Sequence, residues 1–279
     1  MTNAADWQGA VGNNWAIEWQ RTDRSFSELN AVLVDRAVAK AAKGPRILDI
    51  GCGAGETSFA LARRLSDASI MGIDLSPSLV AAAKARNHHD RVQFENCDAT
   101  HWAGVAWKPD LLVSRHGVMF FDDPIGAFAH FHDIAAPDAQ LVFSCFRERT
   151  ENQWVSDITA LLPVSMPLGD PYSPGPFAFA DSDHVDGILS KAGWLDAKPE
   201  AVDFSYVAGD GDDPIADAID FFSRIGPAAP IIRTLDTDQR ALFFHDLSEL
   251  LCNRLANGKV LFKAAAWIWS AHRQGEFDK

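Results

Sequence analysis

The chain has 279 residues, 47% apolar, 23% charged and 10% aromatic, and at about 100–200 residues per domain that means one enlarged domain or one domain with a cap. Twenty-five Lys plus Arg against 38 Asp plus Glu leave a formal charge of −13, which argues against a nucleic-acid surface built on clustered cations and against binding to anionic membranes. With no long apolar run, no leader-like start over Met1–Trp19, and cysteines at least 45 residues apart, we expect no membrane helix, secretory signal, zinc pattern or disulfide framework, and a cytoplasmic location.

In chain order, the first 45 residues read as an N-terminal helical cap, with Leu29, Val32 and Leu33 on its packed face. Short β-branched runs then alternate with amphipathic segments. The runs are Arg46–Ile50, Ser69–Asp74, Val92–Asn96, Asp110–Ser114 and Gln140–Phe146. Ser76-Pro77 and Asp123-Pro124 each set an N-cap side chain before a proline at the first helical position. After the second pair, Ile125, Phe128, His132 and Ala135 recur at helical spacing. This alternation predicts an α/β fold, a parallel sheet with helices on both faces, which binds ligands beyond the carboxyl ends of its strands.

Beyond Phe146 the rhythm loosens. Residues 147–180, with Asp170-Pro171-Tyr172-Ser173-Pro174-Gly175-Pro176, read as a cap or lid, and Asp181–Ala192 as a helix stopped by Gly193. Val202, Phe204 and Tyr206 alternate with polar neighbours, as in a half-buried strand. Helices are expected at 214–225 and 237–256, the latter ended by Asn257-Gly258, and a last strand at Val260–Ala271. The whole, 1–279, is expected to be one domain. Its core, 46–146, is completed by 181–207 and 258–279, with cap insertions at 147–180 and 208–257.

The most informative segment is Asp49-Ile50-Gly51-Cys52-Gly53-Ala54-Gly55-Glu56-Thr57. An apolar strand runs into glycines at every second position and then into a helix. Glycines let the backbone turn tightly and let a ligand approach the main chain, and the helix start offers free N–H groups at a positive dipole end. The dinucleotide fingerprint would need glycine at position 56; Glu56 stands there, and its carboxylate repels a pyrophosphate. A nicotinamide oxidoreductase is thereby disfavoured.

The Asp-x-Gly-x-Gly-x-Gly spacing resembles class I S-adenosylmethionine (SAM) dependent methyltransferases. Trp15–Arg24, Ser114–Pro124, Gly175–Asp181 and Ala265–His272 extend the similarity to a large bacterial methyltransferase family over nearly the whole chain. The resemblance implies a Rossmann-like seven-stranded sheet, SAM as cofactor and S-adenosylhomocysteine as product. It implies that Asp49, Gly51, Gly53, Gly55 and Ser114 hold the methionine end. Asp74 with Leu75 would take the ribose and Asp98 with Ala99 the adenine, although Asp98 also suits a helix cap. Trp15 and Trp19 would lie on an N-terminal helix folded over the cofactor, or serve as plain core aromatics.

Methyl transfer from a sulfonium is an in-line displacement, so the protein's tasks are to align the nucleophile, exclude water and remove a proton where needed. His116, just past the fourth strand where the family pattern has an aromatic apolar residue, is the candidate catalytic residue, as a base or acceptor contact; packing is the alternative. Arg115 suits an acceptor carboxylate or a structural acid, and Asp122 and Asp123 a loop or a helix cap. His130 and His132, two apart on a helix, cannot chelate one metal. Trp154, Met166, Tyr172, Phe177, Phe179, Phe221 and Phe222 are available for an apolar pocket. The expectation is a methyltransferase acting on a small, fairly apolar acceptor, with no metal and no nucleic-acid or membrane partner. A silent SAM-binding subunit or non-methylating SAM chemistry is the alternative.

Overall fold

Ile47, Leu48 and Ile50 make a nearly continuous apolar run because their strand is buried on both faces, the pattern of a parallel sheet covered by helices. The structure, a computed structural model, describes residues 4–104, 107–164 and 169–275. Its strands are β1 (Arg46–Ile50), β2 (Ser69–Asp74), β3 (Val92–Asn96), β4 (Leu111–Arg115), β5 (Gln140–Phe146), β6 (Leu195–Gly209), β7 (Leu255–Ala256) and β8 (Lys259–His272). Seven of them lie in the order β3-β2-β1-β4-β5-β8-β6, and the two-residue β7 pairs with β8. All neighbours among the first five are parallel, whereas β8 runs antiparallel to both β5 and β6.

Four helices precede the sheet: α1 (Ala4–Gln8), α2 (Ala10–Ile17), α3 (Trp19–Ser25) and α4 (Ser27–Lys40). The sheet crossovers are α5 (Glu56–Arg64), α6 (Pro77–Arg86) and α7 (Pro124–Ile134). Then follow α8 (Gln153–Ala160), α9 (Ser182–Lys191), α10 (Pro214–Arg224), α11 (Ala229–Ile232) and α12 (Thr237–Asn253). Right-handed crossovers that step outward through β2 and β3, and the opposite way through β5, put α5 and α6 on one face and α7 on the other. The strand order reverses between β1 and β4. That leaves a crevice outside their carboxyl ends, where open α/β sheets bind ligands.

The caps form as their sequences dictate. Ser76 accepts from the Leu79 amide at 3.4 Å and Asp123 from the Gly126 amide at 3.0 Å. The strand expected at 202–206 is longer, Leu195–Gly209, because its first half is exposed and shows no alternation. Pro199 is tolerated there because β6 is a sheet edge. The helix expected to reach 256 stops at Asn253. Asn257 and Gly258 take φ of 52° and 75°, joining β7 to β8 as the two-residue turn Asn-Gly favours.

The N-terminal helices are tied to α10 by charge. Arg21 reaches Asp217 at 2.7 Å and Asp220 at 2.7 Å, and Arg24 reaches Asp217 at 2.6 Å. α2 also packs on the start of α6, where a Cβ added to Gly12 would lie 2.3 Å from Ser76 Oγ.

Candidate active site

The turn after β1 needs its glycines. Gly51 and Gly53 sit at φ of 65° and 55°, left-handed values that cost a side-chain-bearing residue about 1–2 kcal/mol. At Gly51 the space is also closed, since an added Cβ would lie 3.0 Å from Gly117 Cα. At Gly53 a Cβ would meet nothing within 4 Å, so the backbone there faces open space. Gly55, at φ 91°, starts α5.

Two carboxylates flank this turn. Asp49, wholly buried in β1, accepts from Ser58 Oγ at 2.6 Å through Oδ2. Its Oδ1 is out of water with no partner. Burial pushes its carboxyl up to about 6, against the Ser58 bond. Asp74 ends β2 and binds the turn itself, accepting from the Gly53 amide at 2.9 Å and the Ser76 amide at 2.8 Å. Burial raises its carboxyl as well, against those two bonds. A buried acid with a free oxygen, beside a glycine facing open space, fits a ligand carrying positive charge.

The neighbouring loops are held by side chains on β3 and β4. Asn96 Nδ2 donates to the carbonyls of Asp74 and Leu75, both at 2.9 Å, which fixes the Leu75 backbone. Asp98 lies past β3 and caps the 3-10 turn Ala99–His101, accepting from the Thr100 amide at 2.9 Å. Ala99 is buried behind it. Ser114, buried at the end of β4, donates to the Ile50 carbonyl at 2.7 Å and accepts from the Gly117 amide at 3.2 Å. It therefore joins the ends of the two strands that border the crevice.

The N-terminal aromatics divide between two helices. Trp15, on α2, lies 5.8 Å from Trp7, which meets Phe120 at 5.1 Å. Trp19, on α3, lies under the Arg86 guanidinium at 3.6 Å. Arg86 donates to the Ala54 carbonyl at 2.8 Å and pairs with Glu56 and Asp23, both at 2.9 Å. Asp23 also pairs with Arg115 at 3.1 Å. Trp19 thus touches the glycine turn through Arg86, whereas Trp15 belongs to a separate aromatic group.

Past β4, His116 holds φ at 58°, uncommon for a residue with a side chain. Its ring stacks on Phe146 at 4.1 Å and meets Phe26 edge-on at 5.3 Å. Neither ring nitrogen has a partner or touches water. Burial and the Arg115 charge push the imidazole down to about 3, so at neutral pH it is uncharged. Near this end of β4 and β5, further groups out of water without a partner include Arg115 Nη1, Ser144 Oγ, Arg147 Nε and Trp154 Nε1. Each buried polar atom left unpaired costs about 1–3 kcal/mol.

Of the aromatics expected to line an apolar pocket, Trp154 and Phe177 reach Phe146, at 5.3 and 5.6 Å. Phe179 packs in the core with Phe128 and Phe143, and Phe221 and Phe222 are buried. Tyr172 lies outside, stacked on His184 at 3.9 Å. Met166 falls outside the described residues. His130 bonds the Trp102 carbonyl at 2.9 Å and His132 meets Trp194 at 5.7 Å. Among the described residues no group of three or more His, Cys, Asp or Glu is placed to hold a metal ion. Ser58, Asn96, Arg86 and Ser144 were not singled out from sequence. Only Ser58, three residues past Gly55, carries a spacing that points back to the turn.

The methyltransferase domain family matches residues 21–198. The chain is 32% identical over 139 residues to the biotin biosynthesis bifunctional protein BioCD of Bordetella avium, covering 48% of this chain and 30% of that protein. It is 26% identical over 172 residues to the aklanonic acid methyltransferase DauC of a Streptomyces species, covering 60% and 74%. The match thus spans under a third of the first relative's length. Among solved structures, phosphoethanolamine N-methyltransferase 2 of Haemonchus contortus with S-adenosyl-L-methionine superposes with a TM-score of 0.59 at 15% identity. That overlay covers 98% of this chain and 60% of the other. The chain belongs to the class I, SAM-dependent methyltransferase family, on the Rossmann-like sheet described above.

Proposed function

We propose that the protein transfers a methyl group from SAM to a small, largely apolar acceptor and releases S-adenosylhomocysteine. The observation that carries this reading is the acidic glycine turn. Asp49 keeps one buried oxygen unpaired, Asp74 is held by the Gly53 and Ser76 amides, and open space faces Gly53. When bound, SAM supplies an electrophilic methyl carbon on a sulfonium.

The chain's own residues bind, orient and exclude water. Asp49, Gly51, Gly53, Gly55 and the strand ends joined by Ser114 are assigned to the methionine end. Asp74 and Leu75 take the ribose hydroxyls, and Asp98 and Ala99 the adenine edge. Trp15 and Trp19 belong to the helices that cover the site. His116 is assigned to the acceptor. An imidazole held near 3 is a weak base, which supports contact with the acceptor over proton removal. Segments 147–180 and 208–257 act as the cap over that side.

A formal charge of −13 supports a small-molecule acceptor over nucleic acid or an anionic membrane surface. No helix among the described residues is long and apolar enough to cross a membrane; a cytoplasmic location is part of the proposed reading. Titration calorimetry with SAM and S-adenosylhomocysteine tests the reading: both should bind one per chain, and absence of heat with either overturns it.

A further inference from the structure

Arg115, His116 and Ser144 at the carboxyl ends of β4 and β5, and Trp154 on α8, keep polar atoms out of water without a partner: Arg115 Nη1, both His116 ring nitrogens, Ser144 Oγ and Trp154 Nε1, with Arg147 Nε a further such donor just past β5. Arg115 and Ser144 are register partners in neighbouring parallel strands, so their side chains leave the same face of the sheet. Phe146, two residues beyond Ser144, leaves that face too, and it carries the stacked His116 ring and the Trp154 ring. Phe26 closes the group, 5.7 Å from the Arg115 guanidinium and 5.3 Å from His116. The unpartnered atoms of Arg115, His116, Ser144 and Trp154 therefore surround one aromatic nest. Ser144 is fully buried and Trp154 is 6% exposed.

Their chemistry is one-sided. An indole N–H and a guanidinium N–H only donate, a serine hydroxyl can donate, and an imidazole with two free nitrogens always has one to donate. Arg115 already gives Nη2 to Asp23, a carboxylate it shares with Arg86, so Nη1 is the N–H donor of a guanidinium that is left over for a ligand. Donors gathered around a guanidinium, out of water, suit an anion with two oxygens. An ammonium group would find neither a carboxylate nor a free carboxamide among these four side chains.

We propose that Arg115, Ser144, Trp154 and His116 form a carboxylate-recognising site, so that the acceptor is a small aromatic or otherwise apolar carboxylic acid, methylated on its carboxylate. This rests on the reading of the protein as a SAM-dependent methyltransferase. One carboxylate oxygen forms the new bond to the methyl carbon as the bond from that carbon to sulfur breaks and its electron pair returns to sulfur. A cationic sulfonium and an anionic carboxylate become a neutral thioether and a neutral ester. No proton moves, so no base is required, in keeping with an uncharged, weakly basic His116.

The probes are benzoate, phenylacetate and cinnamate, each against its primary amide. They are titrated by calorimetry into protein saturated with S-adenosylhomocysteine, whose own binding is measured first. We expect at least one acid to bind tenfold or more tightly than its amide. Arg115→Gln should abolish that preference, Arg115→Lys should restore part of it, and Ser144→Ala should reduce it with S-adenosylhomocysteine affinity unchanged. Amides binding as well as all three acids, or a preference that survives both Arg115→Gln and Ser144→Ala, overturns the inference. Failure to bind S-adenosylhomocysteine overturns the underlying reading instead.

Discussion

Ser58 Oγ donates to Asp49 Oδ2 at 2.6 Å, while Oδ1 of the same carboxylate is buried and unpaired. The first turn of α5 thus grips the strand acid by one oxygen and leaves the other unpaired, the oxygen proposed above for the methionine end. This arrangement has a thermodynamic signature. Burial raises the folded carboxyl to about 6 from the 3.8 of an ordinary aspartate, so between those values the folded state holds more protons than the unfolded state. The contribution of Asp49 to stability therefore falls as pH rises from about 4 to about 6. At about 1.4 kcal/mol per pH unit the penalty at neutral pH is about 3 kcal/mol. Asp49→Asn should remove it, raising the thermal midpoint at pH 7 and flattening that part of the profile, while weakening SAM binding. Calorimetric scans from pH 4 to 7 check this, and a variant no more stable at pH 7 refutes it.

Asp74 anchors the glycine turn, and the proposed function gives it a second role at the ribose. Its oxygens already accept from the Gly53 and Ser76 amides, and each carboxylate oxygen has a second lone pair for a ribose hydroxyl. Asp74→Ala should weaken SAM binding by about 1.5–3 kcal/mol, the range for hydrogen bonds to a charged group. It should also lower the thermal midpoint, because the turn loses its anchor. An unchanged dissociation constant would remove Asp74 from the cofactor site.

His116 separates packing from function. His116→Phe retains a ring to stack on Phe146 and meets the same backbone demand at φ 58°, so the fold and SAM affinity should be preserved. The hydrogen-bonding nitrogens are lost, and turnover with a competent acceptor should fall at least tenfold, about 1.4 kcal/mol in barrier. Wild-type turnover in that variant would show that the imidazole only packs.

The glycine turn was legible in sequence because positive φ demands a residue type, β1, β2 and β5 because covered strands read as apolar runs, and the edge strand β3 because buried Val92 and Phe94 alternate with exposed Gln93 and Glu95. The first half of β6 was not legible: its exposed Leu195–Ala201 stretch carries no alternation, and Pro199 reads as a break until the strand is known to be an edge. Asn257-Gly258 reads equally as a helix stop or a hairpin turn, because both uses need positive φ. Within the site, Asp49 lies on the glycine motif itself, and Asp74, Asp98 and Ser114 lie at or just past strand ends that the alternation marks. Ser144 and Trp154 matter through unpaired atoms brought together by register and aromatic packing, and no local spacing reports that.

Asp23 bridges three parts of the site that are distant in the chain. From α3 it pairs with Arg86 at 2.9 Å and Arg115 at 3.1 Å, and Arg86 in turn holds the Ala54 carbonyl inside the glycine turn. All three side chains are less than one-fifth exposed, so these pairs are less screened than surface bridges. Asp23→Asn keeps the shape but removes the charge that two guanidiniums share. The helices over residues 10–25 should then open more readily, with a loss of about 1–3 kcal/mol in local stability. Their amide hydrogen exchange should quicken while β1 and β4 keep their protection, and SAM affinity should fall because the covering helices no longer hold Arg86 on the turn. Unaltered exchange over 10–25 would mean that the links from Arg21 and Arg24 to Asp217 hold these helices without Asp23.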